Sequence, residues 1–296
     1  MRLLILFMAF FGLVAQGAQT REEFEAQLHY QQGDVVLKDG LATIHVPPEF
    51  RYLKPDQADL ILVQAWGNPP GTKTLGMLFP ADVSPLTSEG WGVVITYQED
   101  GYVKDADAEK IDYNDLLQKM KKESVEDNAE RKKQGYQQID LVGWAEPPRY
   151  DPPNHKLYWA KELKVEGAKE NTLNYNIRVL GRRGVLVLNA IAGMKQLPEI
   201  TEKMQKVITF VDFNEGHRYA EFKPGVDRIA AYGIAGLIAG TVAAKTGLFK
   251  YLIGILIAAK KAVVAGVIAI GAFFKKLFGR KTERQQDSGV KRGGGL

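Results

Sequence analysis

Residues 156–191 read KLYWAKELKVEGAKENTLNYNIRVLGRRGVLVLNAI. Three runs rich in aliphatic, aromatic and β-branched residues, 156–165, 172–180 and 185–191, are separated by short turn-forming segments, and Arg182-Arg183-Gly184 makes the second turn. That is the pattern of an antiparallel meander. Upstream, 138–144 reads as a further strand running into a stiff loop, Pro147-Pro148-Arg149-Tyr150-Asp151-Pro152-Pro153. Downstream, a helix is expected over 198–209.

The N-terminal half alternates in the same way. Strands at 35–37 and 41–46 flank Lys38-Asp39-Gly40, and Asp-Gly is a strong hairpin signal. A helix over 55–66 has Gly67 at its C-terminal stop and Pro69-Pro70 beyond. Strands follow at 75–79 and 92–97. Asp112 is placed to cap the longest helix, 113–134, whose apolar stripe is Tyr113, Leu116, Leu117, Met120 and Val125. Helices set between runs of antiparallel strands give an α+β fold, with antiparallel sheet covered by helices on one face.

The 296 residues include no cysteine, which excludes disulfides, thiol nucleophiles and cysteine-ligated zinc. The net charge of +4 is unevenly distributed: residues 1–224 carry −5 and residues 225–296 carry +9. A basic tail beside apolar segments suits anionic lipid, and an acidic head argues against nucleic acid.

Both ends read as membrane-directed. Met1-Arg2, an apolar run over 3–14 and Ala15-Gln16-Gly17 form a three-part export signal, so residues 1–17 are expected to be removed; the alternative is an uncleaved anchor. The extracytoplasmic domain is then 18–224, the membrane anchor 225–278 and a basic polar tail 279–296. Residues 229–247 hold a single charge, Lys245, and as a helix would measure about 28 Å at ~1.5 Å per residue. Gly236 and Gly240 set a G-x-x-x-G step in it, through which two copies could self-associate. Beyond it Lys250, Lys260, Lys261, Lys275 and Lys276 share an arc of roughly 160° at about 100° per residue, as a helix lying in the membrane interface requires. One span plus an interfacial helix is favoured over two spans, which would bury Lys260 and Lys261 in the bilayer.

Four stretches carry a resemblance: 65–71 (AWGNPPG), 99–113 (EDGYVKDADAEKIDY), 143–150 (GWAEPPRY) and 179–184 (VLGRRG). Together with the apolar tail they resemble an uncharacterised bacterial family of predicted membrane-anchored proteins built on a domain of unknown function. The resemblance implies an envelope location in bacteria, and it implies no activity and no catalytic residues; with the export and anchor signals, the expected place is the inner membrane with the soluble domain in the periplasm. Residues 138–213, by the order of their elements, look like the sandwich of PsbP-like or Mog1-like domains, which are mostly binding and assembly modules.

Site candidates are few. Glu99, Asp100, Asp105 and Asp107 form an acidic stretch, but Lys110 stands where a calcium loop needs glycine. His29, His45, His155 and His217 lack metal-ligand spacing, and no cofactor or metal is expected. His155 is the most site-like, beside the proline-rich segment. Trp66 with Asn68, and Trp144 with Tyr150, set aromatics on proline-stiffened loops, which suits a contact surface. The expected function is a binding or assembly module for an envelope protein or glycan, without catalysis; the alternative is an envelope hydrolase acting through paired carboxylates on cell-wall or glycan material. If the export reading holds, intact-mass measurement of protein from its native membranes will give a mature chain starting near Ala18 or Gln19; a chain still beginning at Met1 would refute it.

Overall fold

The computed structural model describes residues 21–240, apart from Pro69, Ser88 and Gln134. The expected signal segment 1–17, the basic tail 279–296 and Lys260 and Lys261 lie outside the described residues. After a short helix α1 (Arg21–Glu25), the hairpin forms where Asp-Gly put it: β1 (Gly33–Leu37) and β2 (Ala42–Val46) pair antiparallel across 38–40. Then come β3 (Phe50–Leu53) and α2 (Pro55–Asp59), which continues as a π-helical turn over Leu60–Ala65. β4 (Met77–Pro80), β5 (Val93–Gln98) and β6 (Tyr102–Lys104) precede the long helix α3 (Tyr113–Lys133). Asp112 caps α3 as its position predicts, its Oδ1 accepting from Asn114 N at 2.8 Å and Asp115 N at 3.0 Å.

The meander is β7 (Ile139–Asp151), β8 (Lys156–Val165), β9 (Thr172–Leu180) and β10 (Val185–Gly193). It is followed by α4 (Leu197–Val207), β11 (Val211–Phe213), β12 (Ile229–Gly233) and α5 (Ile234–Ala239). The main sheet is antiparallel throughout, with seven strands in the order β3-β4-β5-β10-β9-β8-β7. β1, β2 and β11 form a smaller sheet, and β12 lies parallel to β6.

Both faces of the main sheet are covered, where one was expected. On one face Tyr175, Ile177, Leu186 and Leu188 pack with Ile44 and Val211 of the small sheet and Ile200 and Met204 of α4. On the other, Leu157, Trp159, Leu180 and Val187 pack with Leu116 and Met120 of α3 and with Ile234, Leu237 and Ile238 of α5. A third cluster closes the β3–β5 end, where Trp66, Ile61 and Leu62 meet Phe79 and Met77. Strands this apolar on alternate and intervening positions need cover on both sides.

Two expectations are corrected. The proline-rich segment is not a loop: β7 runs unbroken through Pro147 and Pro148 to Asp151. It is the edge strand, where a residue without an N–H costs no ladder bond, and register shifts between Leu141 and Arg149 absorb the irregularity. The apolar stretch beginning at Ile229 is not one continuous helix. Its first five residues are the strand β12, and six more make α5, which Gly240 ends in the left-handed conformation (φ 77°) while donating its N–H to Gly236 O at 2.8 Å. Gly236 and Gly240 thus bracket the closing turn of α5. Among the described residues no helix is long and apolar enough to cross a membrane. Within the run, Ile234, Leu237 and Ile238 pack in the protein's own core.

Asp107 fixes this docking, its carboxylate accepting from Ile234 N at 3.1 Å and Ala235 N at 3.3 Å. A Cβ at Gly233 would stand 2.7 Å from that carboxylate, so a side chain there would have to displace the cap. Burying each of Ile234, Leu237 and Ile238 stabilises by about 1.5–3 kcal/mol. Packing into the core therefore continues past residue 224, through Ile238 of α5. Leu237→Ala is expected to destabilise by about 2–5 kcal/mol, and the 18–240 fragment is expected to survive to higher urea than 18–224, whose equal midpoint would refute this docking.

Candidate functional site

The turn between β7 and β8 is the starting point. Pro152 and Pro153 restrict the backbone, and Asn154 Nδ2 donates to Asp151 Oδ2 at 2.8 Å. The next residue, His155, sits in the left-handed region at φ 51°. Histidine tolerates that region better than most, but it is uncommon enough to mark a constrained position. It turns the imidazole inward, over Tyr219, with ring centroids 4.1 Å apart.

From there four rings stack in a row. Tyr219 lies against Tyr102 of β6 at 4.4 Å and 24°, and Tyr102 against Phe222 at 4.0 Å and 21°. Each such pair contributes about 0.5–1.5 kcal/mol beyond the area it buries. Tyr219 is buried, and its hydroxyl donates to Val103 O at 2.9 Å; Tyr102, His155 and Phe222 are half-exposed. Burial first, and hydrogen bonding after it, pushes the Tyr219 phenol well above its usual range.

Beside the stack, the Tyr150 hydroxyl donates to Asp105 Oδ2 at 2.6 Å. His155 Nδ1 is 3.2 Å from the same hydroxyl and 3.6 Å from the carboxylate. With the phenol's proton directed to Asp105, Nδ1 is left to donate, which assigns the tautomer from the network. Burial and then the Asp105 carboxylate hold the Tyr150 phenol well above the usual range, so it stays a neutral donor. Among the described residues no serine or threonine hydroxyl bonds to His155.

The other carboxylates of the acidic stretch serve the fold. Asp100 accepts from Tyr232 OH at 2.7 Å, and Asp107 caps α5. Glu99 is exposed and 3.7 Å from Lys38. Trp66 and Asn68 lie apart from the stack and are buried: the indole donates to Pro85 O at 2.8 Å and the amide to Leu62 O at 3.0 Å. Both plug the core beneath α2, which corrects their reading as a contact surface. Trp144 donates to Tyr113 O at 3.1 Å and ties β7 to the start of α3.

Next to the stack is a cleft of about 440 Å³ lined by Glu99, Gly101, Arg183, Val226, Asp227 and Arg228. Its floor is an ion-pair cluster. Arg182 grips Asp227 through Nε at 2.6 Å and Nη2 at 3.1 Å, and Arg183 Nε adds a third bond at 3.0 Å. Sequence reading passed over Tyr102, Tyr219, Phe222 and Asp227. Tyr102 lies in the acidic stretch that was read for its charges, while 219–222 lie between the expected helix 198–209 and the apolar run from 229 and carry no periodic signal.

The Arg182 guanidinium holds the Asp227 carboxyl well below the usual carboxylate range. A depressed folded-state pKa means the stabilisation is present above the unfolded value, about 4, and is lost as pH falls below it. Urea midpoints measured from about pH 4 down to about pH 2 should therefore fall more shallowly for Arg182→Gln than for the parent chain; parallel acid limbs would show that Asp227 contributes nothing there.

No curated protein matches the chain in sequence. Among solved structures, the cyanobacterial PsbP (CyanoP) from Synechocystis sp. PCC 6803 is similar at 11% identity and a TM-score of 0.34, covering 61% of this chain and 91% of that one. The Saccharomyces cerevisiae Ran-binding protein Mog1p is similar at 10% identity and 0.32, covering 62% and 95%. LpqN of Mycobacterium tuberculosis, described as involved in cell envelope biogenesis, is similar at 13% identity and 0.31, covering 67% and 99%. At these identities and scores the likeness carries no inference about activity. Residues 29–271 match a family model described as a protein of unknown function, DUF2167, and because that match spans most of the chain, this protein belongs to that family.

Proposed function

We propose that this protein is a membrane-tethered binding or assembly module of the bacterial envelope, and that its contact face is the stack of His155, Tyr219, Tyr102 and Phe222. The observation that carries the reading is the stack itself. Three of its four rings are half-exposed, and their positions are set by a strained turn and a parallel strand pair. Rigid aromatic side chains held in place before binding lose little entropy on contact, which is the property of interface anchors. Val226 and Ile229 are exposed beside it and extend the apolar area.

The partner that fits is a protein. Both faces of Tyr102 are covered by its neighbours in the stack, so it offers edges and not the open ring face on which a sugar would lie. The edge of the patch carries the Asp105–Tyr150–His155 network and the Arg183 and Arg228 side chains, an apolar centre with a polar rim. The tether is assigned to residues beyond Gly240. Their longest uncharged runs, 251–259 and 262–274, are nine and thirteen residues, short for a span, and with the lysines on one helical arc they suit the membrane interface.

A photo-crosslinking side chain placed at Phe222 of the full chain in living cells is expected to yield one discrete adduct with a second polypeptide, absent when the same group replaces the exposed Val125 of α3. Phe222→Ala is expected to weaken capture of that polypeptide about tenfold or more, the effect of removing a central anchor. No adduct at 222, or an identical pattern at 125, would sink the proposal.

A further inference from the structure

The cleft beside the stack is bordered by two turns that hydrogen bonds close. One joins β9 to β10: Gly181 N donates to Gly184 O at 2.8 Å, and at the tip Arg183 O accepts from Gly101 N at 3.1 Å. Gly184 lies so close to β5 that a Cβ would stand 2.2 Å from Gln98 O. The other turn is 223–227, where Asp227 N donates to Lys223 O at 2.9 Å and Asp227 Oδ2 accepts from Lys223 N at 2.8 Å. Arg228 follows directly, its carbonyl accepting from Tyr102 N at 2.8 Å. Arg183 and Arg228, the two cations that line the cleft, are thus fixed at the backbone, and the second is bonded to a residue of the stack.

Their side chains are held but not saturated. Arg183 Nε donates to Asp227 Oδ1 at 3.0 Å, and Arg228 Nη2 donates to Glu99 O. Arg183 Nη1 and Nη2, and Arg228 Nε and Nη1, meet no acceptor among the described residues. The carboxylates of the lining are engaged: Arg182 takes both oxygens of Asp227, and Glu99 pairs with Lys38 at 3.7 Å. Both guanidiniums are exposed, and Val226, 73% exposed, adds an apolar side chain to the same lining. At about 440 Å³ the cleft has room for more than one side chain, within the range of about 300–1,000 Å³ usual for binding clefts.

The occupant that fits brings acceptor oxygens to the two forks and apolar atoms to Val226 and the rings. We propose that the cleft receives an acidic side chain, aspartate or glutamate, of a partner polypeptide whose neighbouring apolar residue lies on the stack; this rests on the reading of the stack as a protein contact face. A guanidinium presents its donors in a planar fork that matches a carboxylate, and Arg183 and Arg228 each have donors left to offer. An exposed ion pair by itself contributes little. A partner that covers the stack also removes water from the adjoining cleft, and there the same charge pair is stronger. An anionic bilayer fits less well, because the carboxylates of Glu99 and Asp105 border the same area and would repel it.

The test selects a random-peptide phage library against the full chain in a zwitterionic detergent. Recovered peptides should carry aspartate or glutamate at a fixed spacing from an aromatic or large aliphatic residue. Arg228→Glu should weaken their binding about tenfold or more, and reselection on that variant should enrich lysine or arginine at the acidic position, a change that misfolding would not produce. Arg183→Gln, which leaves Asp227 to Arg182, should weaken binding in the same direction, and it serves if Arg228→Glu fails to fold. Phe222→Ala should remove the apolar preference and keep the acidic one. Peptides that keep the apolar residue and lack the acidic one overturn the cleft reading and leave the stack reading standing. Acidic peptides indifferent to Phe222→Ala support the cleft and count against the stack. No enrichment, or acidic peptides that bind both arginine variants as tightly as the parent, overturns the proposal. So does binding to phosphatidylglycerol vesicles that Arg228→Glu abolishes while no acidic peptide is recovered, which would assign the cleft to lipid.

Discussion

Strand β9 has no side that faces water, and the rest of the molecule is arranged around that constraint. It is hydrogen-bonded on both edges, to β8 and β10, and its side chains alternate between two interiors. Leu173, Tyr175, Ile177 and Val179 enter the core closed by α4 and the small sheet. Asn174, Asn176 and Arg178 enter the space closed by α3 and α5. A period of two allows no other distribution. Covering the first set needs one layer of elements, and covering the second needs another, so the chain becomes three layers deep.

The second layer is assembled from pieces far apart in sequence. α3 contributes Leu116 and Met120 near its start; further along, it is held to β7 by hydrogen bonds, with Asn128 Nδ2 donating to Ile139 O at 3.1 Å and Asn128 Oδ1 accepting from Ile139 N at 2.7 Å. The remaining area is closed by α5, which reaches it because β12 pairs with β6 and because Asp107 caps the helix as it leaves the strand. One carboxylate thus couples the acidic stretch to the last part of the described chain. The same pairing sets Tyr102 beside Tyr219 and Phe222, so the docking that completes the core also builds the aromatic face.

Polar groups are retained in both places for different reasons. In the Arg182–Asp227 cluster, charge meets charge, and hydrogen bonds to a backbone N–H complete it. On the β8–β10 patch, Trp159 Nε1, Asn174 Nδ2 and Asn189 Oδ1 are buried without a hydrogen-bond partner among the described residues. The first holds the 216–228 segment in place below the stack; the second gives the interior a chemistry that packing alone does not require.

The local parts of this architecture were legible in the sequence. Asp39-Gly40 marked the hairpin, Asp112 capped α3, and the runs 156–165, 172–180 and 185–191 marked the meander, because turn chemistry, capping and side-chain alternation act within a few residues. Asp105, Tyr150 and His155 were singled out separately, but their meeting was not visible, nor were Tyr102, Tyr219 and Phe222 as one stack, because no local pattern links β6, the β7–β8 turn and 219–222. Pro147-Pro148 implied a loop, yet an edge position makes them strand; the apolar run from Ile229 implied lipid, yet the sheet face that α3 covers in part takes its first part as core. Hydropathy and proline content report what a segment avoids, water in one case and ladder bonds in the other. What lies against the segment instead depends on long-range pairing and burial, and those are decided only when the whole chain packs.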